Sequence, residues 1–195
     1  MTSPSAKVIN RREAPNVEPL STLVGAVRSD YRCNRRDWTK PGFRALAVYR
    51  FGAWRRTAES RWVRVPLFAV YRTLHRFVRN HYGIEIHETA TIGPRFWIAH
   101  QGGIVIHPYA RIGSDCMIRQ NVTIGAATFD DRHNGPILGD RVRVGAGAAI
   151  IGQITIGDDV RIGPNAVVMR DVPAGMVVSG PPAKAMKMPG GPDGD

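Results

Sequence analysis

From Ile86 onward an aliphatic side chain returns every sixth residue. The first run is Ile86, Ile92, Ile98 and Ile104, and after a two-residue shift it resumes as Ile106, Ile112, Ile118 and Ile124. After an interruption at 125–137 it continues as Leu138, Val144, Ile150, Ile156, Ile162 and Val168, so that all 14 positions in the register are Ile, Leu or Val. An α-helix, with 3.6 residues per turn, would scatter such a series around its circumference. A flat strand would not need the glycines that follow at 93, 113, 125, 139, 145, 157 and 163. A coil of three short strands, each about six residues long with a sharp corner between them, uses both features. Four residues past the aliphatic position stand Ala90, Ala110, Cys116, Val122, Val142, Ala148, Ile154, Val160 and Ala166. These are small or β-branched, as a second inward position at a tight corner requires. Cys116 falls in this set and reads as a buried small hydrophobe.

The remainder of the 195-residue chain divides by charge. Residues 1–84 carry 17 Lys/Arg and 5 Asp/Glu, while residues 85–195 carry 10 and 11, so the net +11 is an N-terminal property. Such a block suits an anionic membrane surface, a nucleic acid or an acidic partner, or is a set of solvated basic helix faces. It contains no nucleic-acid-reading motif and no aromatic stacking pattern, so a nucleic-acid partner is not expected. The chain lacks an apolar run of membrane-spanning length, and its first 20 residues lack a secretory core. Two cysteines, Cys33 and Cys116, make no disulfide framework. These features together predict a cytoplasmic protein.

Residues 1–19 read as a flexible basic tail and 20–84 as helical. Phe43, Leu46, Ala47, Phe51 and Trp54 follow helical spacing after a break at Pro41–Gly42. A second stripe, Leu67, Val70, Tyr71, Leu74, Phe77 and Val78, starts just past Pro66 and ends at Gly83. The solenoid is expected over 85–178 with a loop at 125–137, and 179–195 as a C-terminal segment with a flexible tail. Two departures from the repeat lie beside histidines. The interruption GAATFDDRHNGPI contains Asp130, Asp131, Arg132 and His133, and the two-residue shift follows His100 in IAHQGGIVIH. Solenoid insertions gather on binding faces, which makes His100 and His133 candidates for chemistry. His87 and His107 each follow an inward isoleucine and read as a surface ladder rather than metal ligands.

The segments IEIHETATIG, IAHQGGIVIH, VTIGAATFDDRH, VGAGAAIIGQITIG and VPAGMVVSGPPAK, with GFRALAVYRFGAW upstream, resemble the serine O-acetyltransferase family. The resemblance covers about residues 25–185. It implies a mainly β fold, a left-handed parallel β-helix of hexapeptide repeats, behind a small helical N-terminal region. It implies acetyl-CoA as co-substrate, L-serine as acceptor, a place in cysteine biosynthesis, no metal, and a homotrimer with a hexamer as the alternative. Carried over by position, His100 is the general base, Glu85 the carboxylate that holds its ring, and His133 a second catalytic or orienting group. Arg132 and Asp30 would bind the acceptor. Gly125, Ala126, Ala146, Gly163 and Lys184 would line the acetyl-CoA groove. The sequence departs from the family at Ala99, where a carboxylate that meets the acceptor's ammonium is expected. That departure leaves room for a sugar hydroxyl as acceptor, with the basic block resting on a membrane. A repeat scaffold without catalysis is the non-enzymatic alternative. The γ-class carbonic anhydrases share the β-helix, but their histidine spacing is missing here.

Overall fold

The computed structural model describes residues 20–128 and 134–180. Three helices come first: α1 (Leu20–Cys33), α2 (Pro41–Arg55) and α3 (Arg61–Phe77). A π-helical turn, Val78–Tyr82, extends α3 and stops at Gly83, whose φ of 62° is left-handed. From Ile84 to Val178 the chain winds as a left-handed β-helix. Each coil places one short strand in each of three parallel sheets, which have five, four and five strands. The first face starts at Ile84–Ile86, the second at Thr91–Ile92 and the third at Trp97–Ile98.

Strand register explains the sequence period. Leu138 pairs with Ile156 and Ile106 with Ile124, both an 18-residue step. The first coil steps by 20, Ile92 to Ile112, because two extra residues sit in its third corner. Across the 125–137 loop the step is 26, Ile112 to Leu138, so the loop adds eight residues to a regular coil. All 14 aliphatic positions and all nine small-station residues named above are buried. Each fully buried Ile, Leu or Val contributes about 1.5–3 kcal/mol of transfer free energy. Cys116 is among the buried small-station residues. Burial pushes its thiol up to about 11, and Sγ–H points to Gly139 O.

The corner glycines are there for space. A methyl on Gly93 would stand 2.6 Å from the Gly113 carbonyl carbon, and one on Gly113 the same distance from that of Gly139. The left-handed backbone positions fall elsewhere in the corners, on Arg95, Asp115, Asn121, Arg141, Asp159 and Asn165, and on Gly147 and Gly175 in the same rows. Two of the arginines repay this conformation by forking onto the aspartate one coil below, Arg95 to Asp115 and Arg141 to Asp159.

A solenoid's first coil would leave a row of unpaired backbone groups at its open end. Here the helices supply side chains for them. Tyr49 donates its hydroxyl to Ala90 O and accepts from Ile92 N–H. Arg50 donates to Ile92 O and Gly93 O. Asp30 Oδ1 accepts from Phe96 N–H, and Asn34 Nδ2 donates to Phe96 O. Asp30 and Arg50 also pair with each other at 2.8 Å, and Asp30 is 0% exposed. Phe96, at a station that elsewhere holds a small residue, fills the prism under this cap. Close by, Gly42 packs flat on Ile98, where a methyl would meet Ile98 O at 2.5 Å.

Three expectations for the helices change. Pro41–Gly42 is the first turn of α2 rather than a break before it, consistent with proline's preference for that position. The buried face of α2 is Gly42, Ala45, Leu46, Tyr49 and Gly52, one step around from the predicted stripe. Phe43, Ala47 and Phe51 instead line an apolar groove against α1. In α3, which begins at Arg61 with Pro66 inside it, Tyr71 is buried, as is Val78 at the start of the π-helical turn, but Val70, Leu74 and Phe77 stay exposed. The expected tail at 1–19, and 181–195 of the C-terminal segment, lie outside the described residues.

Candidate active site

The corner between the third and first faces forms a column down the molecule. At its head is the His100–Gly103 turn, which carries the two extra residues. Gly102 N–H donates to Tyr82 O and Ile104 N–H to Gly83 O, so the end of the π-helical turn holds the histidine's segment from above. Gly102 and Gly103 have φ of 98° and 64°, which the widened corner requires. Below, Asn121 N–H donates to Gly102 O, Gly147 N–H to Gln120 O, and Asn165 N–H to Ala146 O. The column thus runs His100, Gln120, Ala146, Pro164, one coil apiece, with Gly163 beside it in the row of Gly145. Adjacent coils lie about 4.8 Å apart, so Ala146 is about 10 Å and Gly163 about 14 Å below His100. His100 is exposed at the head of this column, with small residues, Ala146 and the adjoining Gly145 and Gly163, two and three coils below.

Glu85 projects outward from Ile84–Ile86, in the row that continues through Val105, Thr123 and Ala149. The expected bond from Glu85 to His100 is not made among the described residues. Glu85's charge acts instead on His75 of α3, whose ring burial holds below the ordinary imidazole range while Glu85 and a hydrogen bond at Ile86 push it back up. Asp30 also departs from expectation. It is sealed inside the cap on Arg50 and Phe96, and presents no face to an acceptor.

Gly125 and Ala126 lie on a different corner, between the first and second faces, with the described limbs of the loop beside them. A methyl on Gly135 in the returning limb would stand 2.6 Å from the Tyr109 carbonyl carbon at the same corner. This corner and the His100 corner are separated by a face about five residues wide, roughly 16 Å of extended chain. The structure therefore groups the candidate residues by corner: His100, Ala146 and Gly163 on one, Gly125 and Ala126 on the other. Arg132, His133 and Lys184 lie outside the described residues.

His87 and His107 serve their own turns. His87 Nδ1 bonds with Thr89 Oγ1, and His107 Nδ1 accepts from Tyr109 N–H. No group of three or more His, Cys, Asp or Glu able to hold a metal occurs among the described residues. Gln120 escaped the sequence reading. Its Oε1 is buried one coil below His100 without a hydrogen-bond partner among the described residues. A single polar residue in a corner carries no periodic signal that could have marked it.

The family model described as bacterial transferase hexapeptide (six repeats) matches residues 135–170. A serine acetyltransferase of Mycobacterium tuberculosis is 38% identical over 185 residues, 87% of this chain and 78% of the relative. Among solved structures, a serine acetyltransferase isoform 3 of Entamoeba histolytica in complex with cysteine superposes with a TM-score of 0.69 at 28% identity. That match covers 86% of this chain and 62% of the other, so the chain spans about three fifths of that protein's length. The Neisseria gonorrhoeae serine acetyltransferase in complex with serine gives 0.67 at 28% identity, covering 85% and 69%. The repeat, the histidine-headed corner and these likenesses agree: this chain belongs to the serine acetyltransferase family of hexapeptide-repeat acyltransferases.

Proposed function

We propose that the protein transfers the acetyl group of acetyl-CoA to the hydroxyl of L-serine, as in cysteine biosynthesis, with His100 as general base. The observation that carries this reading is the placement of His100 on the widened corner between the third and first faces, above Ala146 and the adjoining Gly145 and Gly163. Small residues there let a long thioester arm lie close to the coils. His100 takes the proton from the acceptor oxygen as that oxygen attacks the thioester carbonyl. The new C–O bond forms, the C–S bond breaks, and the proton passes to the departing thiolate. Glu85, on the neighbouring strand, is a positioning carboxylate that engages the ring when the site is filled.

The two corners are too far apart within one prism to share a substrate. A homotrimer would set the Gly125–Ala126 corner and loop of one copy against the His100 corner of the next, bringing His133, Arg132 and Lys184 to the site. A hexamer would add pairing of trimers. The cytoplasm suits Cys33 and Cys116, both unpaired. The test is CoA release across serine, homoserine and a panel of sugars. Release with serine supports the reading. No release with any acceptor, and no thermal shift with CoA, would leave only a repeat scaffold.

A second reading, a neutral sugar hydroxyl as acceptor, is favoured by one specific observation. Of the two carboxylates expected around the serine ammonium, one is replaced by Ala99 and the other, Asp30, is sealed on Arg50. A charged hydrogen bond is worth about 1.5–3 kcal/mol, so each loss weakens serine roughly 10- to 150-fold. Ala99→Asp should lower the serine KM if the site has drifted from amino acids. A low wild-type KM for serine, unimproved by the substitution, would remove this reading.

A further inference from the structure

Helix α3 has a face that the other described residues leave largely uncovered, although Leu74 and Phe77 at its inner edge line a shallow groove with Phe43, Ala47 and Tyr82. Tyr71 and Val78 turn inward onto the protein. On the adjoining arc, Val63, Val70, Leu74 and Phe77 share one stripe at helical spacing and are all exposed, while Trp62 at the helix start is 85% exposed. On the far flank lie Arg61, Arg72, Arg76 and Arg79, all exposed. Residues 61–82 hold five arginines, these four and Arg64, and no Asp or Glu. None of the five forms an ion pair with a described residue.

We propose that this face of α3 lies on an anionic lipid surface, with the Trp62–Phe77 stripe in the headgroup boundary and the arginines on lipid phosphates. The charge selects this occupant over a second copy of the chain. Two such faces packed together would bring ten arginines into one interface with no carboxylate from either helix. An anionic membrane neutralises the same charges and accepts the apolar stripe, which is how surface-lying amphipathic helices bind. No helix among the described residues is long and apolar enough to cross a membrane, so the contact is peripheral. The inference stands apart from the choice of acceptor.

The test is co-sedimentation of the full-length protein with vesicles of phosphatidylcholine alone and of phosphatidylcholine with 30% phosphatidylglycerol. We expect binding to the anionic vesicles, at least tenfold weaker on the neutral ones and at least tenfold weaker in 0.5 M salt. Trp62→Ser and, separately, the pair Arg72→Glu and Arg76→Glu should each weaken anionic binding at least tenfold. CoA release with a soluble acceptor should stay unchanged in both. These positions are exposed, and a thermal melt of each variant keeps folding in view. Failure to bind anionic vesicles, or binding that neither variant alters, overturns the proposal. So does a smaller assembly of Val63→Glu/Val70→Glu by light scattering without vesicle binding by the wild type, which would make the face a contact between copies.

Discussion

The solenoid and the helical cap are stabilised in opposite ways. In the solenoid the same contact is repeated: an inward Ile, Leu or Val stacks on its counterpart one coil away, as Ile118 does on Val144 and Ile124 on Ile150. In the cap almost nothing repeats. Asp30, Asn34, Tyr49 and Arg50 each meet a particular backbone atom of the first coil, and Arg55 forks onto Glu88 at 2.7 Å. The difference teaches where sensitivity lies. Repeated contacts spread the stability, so one can be trimmed at modest cost, whereas each cap contact satisfies a buried polar group that has no substitute.

The largest expected effect tests whether the widened corner is a working part rather than another repeat. His100→Ala should lower turnover about 10²–10⁴-fold with the melting temperature nearly unchanged. Full turnover in the folded variant removes the general base. Next in size is the cap. Asp30→Asn leaves Arg50 buried without its counter-charge, and loss of one partner of a buried pair costs about 3–5 kcal/mol. Denaturant melts would show it, and a loss under about 1 kcal/mol would mean that the cap is no more fragile than the coils. Within the solenoid, Ile150→Val removes one methylene and should cost about 0.5–1.5 kcal/mol. A cost as large as that of Asp30→Asn would break the comparison from the other side.

The smallest effect is a pH slope. Burial keeps His75 from protonating in the fold until below the ordinary imidazole range, despite Glu85 nearby, while Arg79 and His87 oppose its charge further. The unfolded chain takes up that proton near pH 6.5, so stability falls as pH drops through about 6.5 and levels off below the folded value. His75→Gln should flatten that part of the stability profile measured between pH 8 and 5. An unchanged slope would assign it to other groups.

The same contrast governs what could be read from the sequence. Inward residues were legible because every coil restates the rule, and buried Cys116 was found by position alone. The cap was not legible. Its contacts join residues far apart in the chain, such as Asp30 with Phe96, 66 positions away, and no spacing marks them. That is why Asp30 read as an acceptor ligand and proved to be a brace. The helices misled for a related reason: Phe43, Ala47, Val70 and Leu74 have the right period, but which apolar arc is covered depends on the neighbour and not on the helix. At the site, His100 stood out because it interrupts a strict repeat. Gln120, which interrupts nothing, did not.

The column beneath His100 also works as a ruler with fixed graduations. Each coil adds about 4.8 Å, so the distance from the histidine to Ala146 or Gly163 can change only in whole steps. Gly42, pressed onto Ile98, closes the upper end to growth. A duplication of 18 residues inserted above Ala146 would carry that graduation one step away from His100 while keeping every inward side chain in register. The same duplication placed below Gly163 would lengthen the molecule and leave the span from His100 untouched. Descendants of this chain could therefore gain length freely at the lower end, whereas any change between His100 and Gly163 would recalibrate the size of thioester carrier it accepts.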